Sequence, residues 1–186
     1  NSDFEIRANG YNSTRFNDEV CMSLAGSFLV ARPTLDDGFF GRTVVLLLQH
    51  GQDGAFGLVL NRIAGAKEFP FPIHLGGPCK FNGFILIHGQ EEWVDADEES
   101  AAQICPGVYL GDASCFKRIV DPPPGHGWCF RVFTGYAGWG PGQLESELSQ
   151  GAWAVIPAQR KHIFETKTEE MWLRLVPSSI PTPSMN

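Results

Sequence analysis

The sequence predicts a single α+β domain on a largely antiparallel, strongly curved sheet, bending toward a partial barrel, with helices packed on it. Three observations carry this expectation. Apolar, β-branched runs follow one another early in the chain, and helical periodicity enters late. A length of 186 residues with 43% hydrophobic content supports one core and falls short of two independent domains. Glycines stand beside several strand ends, where the missing side chain permits curvature.

Each element follows from local pattern. Residues 1–22, rich in Asn, Ser and charge without a sustained period, read as a flexible extension, and Asn1 suggests a trimmed terminus. Residues 178–186 read as a disordered tail, which leaves 23–177 as the domain. "GSFLVARPTL" predicts a short strand stopped by Pro33. Thr43 to Leu48 form an unbroken apolar run, the mark of a central strand buried on both faces. "GQDG" at 51–54 is turn material and "AFGLVLN" a second strand at hairpin distance. "FPIHLGGPC" reads as a short strand broken at Gly76-Gly77-Pro78, and "GFILIH" as a further buried one.

The carboxylates between Glu91 and Glu99 suit a solvated loop, and the alternative, a calcium loop, lacks the required ligand order. Val108 to Leu110 predict a strand, and "ASCFKRIV" a helix capped by Asp112. "WCFRVFTGYAGW" reads as one strand, "PGQLESELSQ" as a helix, "AWAVIP" as a strand and "KTEEMWLRLV" as a closing helix.

Composition excludes several functions. A formal charge of -7 and a pI near 5.2, with 14 scattered basic residues, disfavour direct nucleic-acid binding. Five cysteines without a C-x-x-C pair give neither a disulfide framework nor a zinc knuckle, and fit a reducing cytoplasm. No apolar run approaches 18 residues, so no membrane association is expected. The chain lacks a P-loop, a G-x-G-x-x-G turn and a G-x-S-x-G elbow, so no cofactor is expected. No metal is expected either, because His74, His126 and His162 sit in segments separate from His50 and His88.

"GYAGWGPGQLESEL", residues 135–148, concentrates glycines at 135, 138, 140 and 142. Such a bend either grips an anion or lets backbone pass close to backbone. Pro141 suits the first helical position, Gln143 can reach back to cap the helix start, and Glu145 and Glu147 complement the positive end of the dipole. Leu144 and Leu148 share one face. Tyr136 and Trp139 are either core or the walls of a cleft. His50 and His88 each end a buried strand and could meet as ligand or base groups, or simply bond loop carbonyls. Arg42 and Arg62 bracket the hairpin, to clamp a carboxylate or pair with Asp36, Asp37 or Asp53. Cys115 is either a nucleophile activated by a helix N-terminus with Lys117 and Arg118, or an inert buried thiol.

"GSFLVARPTLDDGFFGRTVVLLLQHGQDGAFGLVLNR", "LGGPC", "GFILIH", "GYAGWGPGQLESEL" and "AWAVIPA" together resemble, in order and spacing, the AlgH/YqgE family of bacterial cytoplasmic proteins, from Gly26 to Pro177. The resemblance implies an α+β fold. It carries no catalytic residues, and one branch of the family bears a transcriptional-regulator label. Positions of the family pattern include Thr43, Gly57, Pro78, Gly142 and Gln143, and Cys79, Cys115 and the acidic segment depart from it.

Polar positions at strand ends and turns give the candidate ligand-binding set: Arg42, His50, Asn61, Arg62, Gly76, Gly77, His88, Tyr136 and Trp139. The expected function is a cytoplasmic regulatory module that binds a small molecule or protein partner and acts on transcription indirectly. The alternative is a hydrolase or transferase in a cleft lined by His50, His88 and the 135–143 bend.

Overall fold

The computed structural model describes residues 23–35, 38–65, 69–94 and 103–177. The expected terminal segments, most of the acidic stretch and Asp36 and Asp37 lie outside these residues. The strands are β1 (Ser27–Ala31), β2 (Val44–Gly51), β3 (Gly54–Val59), β4 (Ile73–Leu75), β5 (Ile85–His88), β6 (Gln103–Cys105), β7 (Val108–Gly111), β8 (Phe130–Thr134), β9 (Ala137–Trp139) and β10 (Trp153–Pro157). The helices are α1 (Ala113–Val120), α2 (Gln143–Ser149), α3 (Arg160–Phe164) and α4 (Met171–Leu175).

The α+β, largely antiparallel reading holds, with the strands divided between two five-stranded sheets, neither closed into a barrel. The first has the order β10-β1-β2-β3-β9 and is antiparallel throughout. The second, β4-β8-β5-β7-β6, contains one parallel pair, β4 with β8. All strands of the second sheet come from one stretch, Ile73 to Thr134, inserted between β3 and β9.

Burial explains the apolar run at β2. Phe28, Val30, Val44 and Leu46 enter the central core with Ile85, Ile87 and Phe133 of the second sheet. Their alternates Leu29, Ala31, Val45 and Leu47 enter an outer core with Trp139, Trp153 and Leu144 of α2. Val44 to Leu47 are fully buried, and each such side chain stabilises by roughly 1.5 to 3 kcal/mol. A third cluster joins Ile73, Leu86 and Val132 to Cys115 and Ile119 of α1. Asp112 Oδ1 accepts from the amides of Ser114 (2.8 Å) and Cys115 (2.9 Å), the cap expected for this helix.

The stretch read as one strand from Trp128 to Trp139 is two. Gly135, at φ +68°, ends β8, and the chain passes through Tyr136 into β9 of the other sheet. β-Forming aromatics on both sides mask the break, which a left-handed glycine makes. Two short elements, β6 and α3, fall below the length at which periodicity speaks, and the closing helix read over "KTEEMWLRLV" is confined to Met171–Leu175. α2 begins at Gln143 after a left-handed Gly142, so Pro141 sits in the preceding turn and not at the first helical position.

Candidate functional site

The glycine bend and the Gly-Gly-Pro turn meet at the crossing between sheets. The amide of Val59 donates to Gly76 O and that of Gly76 to Thr134 O, both at 2.8 Å. Cys79 and Tyr136 exchange backbone hydrogen bonds of 3.0 Å. A Cβ on Gly77 would overlap the backbone of Tyr136, one on Gly76 the carbonyl of Gly135, and one on Gly135 would stand 2.8 Å from Gly77 O and 2.9 Å from Cys79 O. Of the two readings of the bend, close backbone approach is the one this geometry supports. Gln143 Oε1 accepts from the Gly140 amide at 3.1 Å, as the sequence suggests.

The acids of the bend serve side chains as well as the helix end. Glu147 Oε2 accepts both indole N–H groups, from Trp139 at 2.9 Å and Trp153 at 2.8 Å, and Gln143 Nε2 donates to its other oxygen at 3.0 Å. Trp139 is therefore core, and Tyr136 packs half-buried against Phe56 at 4.9 Å between ring centres. Glu145 Oε1 lies 2.9 Å from His50 Nε2, with the histidine side chain only 3% exposed. The Leu24 amide donates to His50 Nδ1 at 3.1 Å. An amide can only donate, so Nδ1 is the acceptor and Nε2 carries the proton toward Glu145. Both ring nitrogens are thus committed.

Asn61 and Arg62 leave the end of β3 and hold the loop before β2. Asn61 Oδ1 accepts from the Val44 amide and Nδ2 donates to Arg42 O, both at 2.9 Å. Arg62 Nη2 donates to Gly41 O at 2.9 Å and Phe39 O at 3.3 Å, so among the described residues its partners are carbonyls; of the aspartates weighed from the sequence, Asp36 and Asp37 lie outside these residues. Arg42 sits at φ +57°, the single non-glycine residue with positive φ among the described residues. The residue is exposed, and its guanidinium carbon lies 5.6 Å from the centre of the Trp172 ring.

His88 belongs to the other sheet, fully buried beside Trp93 and Tyr109. Gln90 N donates to its Nδ1 at 3.3 Å, which leaves the Nε2 proton facing Cys115 Sγ at 3.7 Å. Burial lowers the histidine pKa and raises that of the thiol, so the pair is neutral. A thiolate–imidazolium pair would set an Nδ1 proton against the Gln90 amide. Cys115, 2% exposed, matches the inert-thiol reading, since burial outweighs the helix N-terminus on which the alternative reading relied. Asp112 is held down to about 2, first by the Cys115 amide.

At the sheet junction, Arg131 donates to Leu60 O at 3.0 Å and Thr166 O at 3.2 Å. Burial lowers neighbouring His74 to about 4, with the Arg131 charge acting in the same direction, and lowers Arg131 itself to about 10. Among the described residues no cluster of three metal-ligating side chains occurs, and no helix is long and apolar enough to cross a membrane.

With this geometry in place, comparison decides the family. The profile of the AlgH-like family, DUF179, matches residues 28–180. The chain belongs to the AlgH-like family. A UPF0301 protein of Chlamydia abortus is 36% identical over 160 residues, covering 79% of this chain and 82% of the relative. One from Chlorobium limicola is 34% identical over 163 residues, with coverage of 82% and 85%. The solution structure of the AlgH protein from Pseudomonas aeruginosa shares 26% identity at a TM-score of 0.64, covering 86% of this chain and 90% of its own. A Corynebacterium diphtheriae crystal structure, at 23% identity and TM-score 0.66, covers 90% and 93% and shares the fold.

In this AlgH-like chain the candidate residues fall into three groups. Gly76, Gly77 and Tyr136 build the crossing, with Trp139 on its outer side; Arg42, Asn61 and Arg62 converge on the loop before β2; His50 and His88 lie in different sheets with separate partners. A residue the sequence reading passed over is Arg32, which lines an open depression together with Arg42. Its signal is weak: it follows β1 and precedes Pro33, where it reads as the polar end of a strand.

Proposed function

We propose that this AlgH-like chain is a recognition module, binding a small molecule or protein partner and influencing transcription indirectly, and that it is not an enzyme. One observation carries the reading: both histidines placed to act as general base have their ring nitrogens engaged inside the fold, His50 by Leu24 and Glu145, His88 by Gln90 and Cys115. A base needs a free lone pair within reach of the substrate proton. Exposed Arg42 lies instead on a loop whose Gly41 and Arg42 carbonyls are tied by Arg62 and Asn61, an arrangement suited to recognition. The charge of -7 argues that any effect on transcription runs through a partner and not through DNA contact.

A panel of ester, amide and phosphoryl substrates, run with wild type, His50→Ala and His88→Ala, tests the hydrolase or transferase alternative. No histidine-dependent turnover is expected. A turnover abolished by either substitution overturns the reading. A tight, salt-sensitive gel shift with short duplex DNA would overturn its indirect regulatory part.

A further inference from the structure

We infer that Asn82 is a site of spontaneous covalent modification, where the side-chain carboxamide closes on the Gly83 amide to a succinimide and water reopens the ring to aspartate or isoaspartate. The reaction needs no ligand and no enzyme, only water and an accessible, unhindered asparagine–glycine pair. Asn82-Gly83 forms the tip of the connection between the Cys79–Tyr136 backbone bridge and β5.

Both residues of the pair are exposed, and among the described residues the Asn82 carboxamide meets no hydrogen-bond partner. The backbone bond at the tip, from the Gly83 amide to Phe81 O at 3.1 Å, lies where water can replace it when the turn opens. Glycine at 83 serves the turn and the chemistry together. Its φ of +147° is a conformation that L-residues rarely adopt, and an added Cβ would stand 3.2 Å from the Phe81 ring. The turn that requires glycine thereby places the least hindered amide nitrogen next to the asparagine. Asn61 is arranged in the opposite way. Its Oδ1 accepts from the Val44 amide and its Nδ2 donates to Arg42 O, both at 2.9 Å, and Arg62 follows it. A carboxamide fixed at both atoms does not swing onto the next amide.

In the first step the Gly83 nitrogen gives up its proton and attacks Asn82 Cγ. The N–Cγ bond forms, the Cγ–Nδ2 bond breaks, and Nδ2 leaves as ammonia with that proton. Water then adds at one of the two ring carbonyls. Cleavage at Cγ restores the main chain with aspartate at 82, and cleavage at the main-chain carbonyl leaves Gly83 joined through the former side chain, as isoaspartate. Because the attacking nitrogen loses a proton, the rate rises with pH. Either product adds one negative charge to a chain of formal charge -7. The charge appears between Phe81 and Phe84, 39% and 41% exposed, and next to exposed Lys80. Phe84 stacks on Phe116 of α1 at 5.7 Å between ring centres, so the change falls at the rim of an aromatic surface. Isoaspartate also lengthens the main chain of this loop by one carbon.

The test is prolonged incubation of the native full chain at pH 6 and at pH 8, followed by peptide mapping with mass spectrometry and chromatographic separation of aspartyl from isoaspartyl peptides. Asn82 should convert to a mixture of both, at least tenfold faster than Asn61 and faster at pH 8 than at pH 6. Asn82→Gln should remove the acidic form of this peptide. Asn9-Gly10, the same dipeptide outside the described residues, reports the chemistry in the same tube. Asn82 left intact while Asn9 converts overturns the site, as does conversion no faster than at Asn61. Conversion seen only in urea-unfolded protein overturns it as well, because the fold then shields the pair. Aspartate without isoaspartate, or a rate that does not rise with pH, overturns the succinimide route.

Discussion

Four glycines around the sheet crossing separate two physical costs, conformation and crowding, and alanine at each gives a quantitative test. Gly140 has neither cost: its φ is not positive, and an added Cβ would first meet Gln143 Oε1 at 4.0 Å. Gly142 has only the first, with φ +72° and nothing within 4 Å. Gly77 has only the second, since its Cβ would overlap the Tyr136 backbone. Gly135 has both, at φ +68° with carbonyl oxygens 2.8 and 2.9 Å from the added carbon.

Ordinary contact begins near 3.4 Å, so the crossing at Gly135 must open by about half an ångström on two sides. Left-handed backbone costs about 1 to 2 kcal/mol for an L-residue, and overpacking typically about 1 to 3. Expected losses are therefore within about 0.5 kcal/mol for Gly140→Ala, about 1 to 2 for Gly142→Ala, and about 2 to 5 for Gly135→Ala. Gly77→Ala should lose about 3 or more, because displaced backbone also forfeits crossing hydrogen bonds. Urea unfolding followed by tryptophan fluorescence measures these, with the slope checked for constancy. Equal losses at Gly77 and Gly140 would refute the account of the bend.

Three further outcomes follow from buried polar groups. Glu147→Ala leaves two indole donors unmet in nearly buried Trp139 and Trp153, so denaturant titration should show a loss of about 2 to 5 kcal/mol, largely recovered in Glu147→Gln, whose carbonyl can keep both indoles. His74, lowered to about 4 from 6.5, remains neutral in the folded chain while the unfolded chain takes up the proton, so stability falls as pH drops from about 6.5 toward 4, by up to about 3 kcal/mol. His74→Gln should remove that slope in pH-dependent unfolding and retain the loss at still lower pH, where protonation of Asp112 between about 4 and 2 removes its capping contribution. Cys115 should resist iodoacetamide in the native state at pH 7 and react only in denaturant, as peptide mapping by mass spectrometry would show; rapid native labelling would contradict the neutral pair with His88.

Much of the fold is legible where local pattern and burial coincide. The β2 run, the hairpin at Gly51–Gly54, the Asp112 cap and the Gln143 back-bond all follow from short-range chemistry. The split at Gly135 is not, because Tyr136 and Trp139 continue a strand-like composition across a chain that changes sheets. Of the candidate positions, sequence spacing did not show which come together in space. Asn61 and Arg62, expected as ligand-binding groups, bond loop backbone. The His50–Glu145 pair spans 95 residues, a separation over which no local spacing signals contact. The Trp172 bond to Ala31 likewise joins positions 141 residues apart.

The nesting of one sheet inside the connection between β3 and β9 has a consequence for biosynthesis. A nascent chain that has emerged through Thr134 holds every strand of the inner layer, while the outer layer still lacks both its edges, β9 and β10. Until Trp153–Pro157 arrives, β1 stands unpaired on one side, with apolar Phe28 to Ala31 in an open strand. The vulnerable interval is therefore the synthesis of residues 135–157, and premature termination there leaves a template for strand addition by other chains.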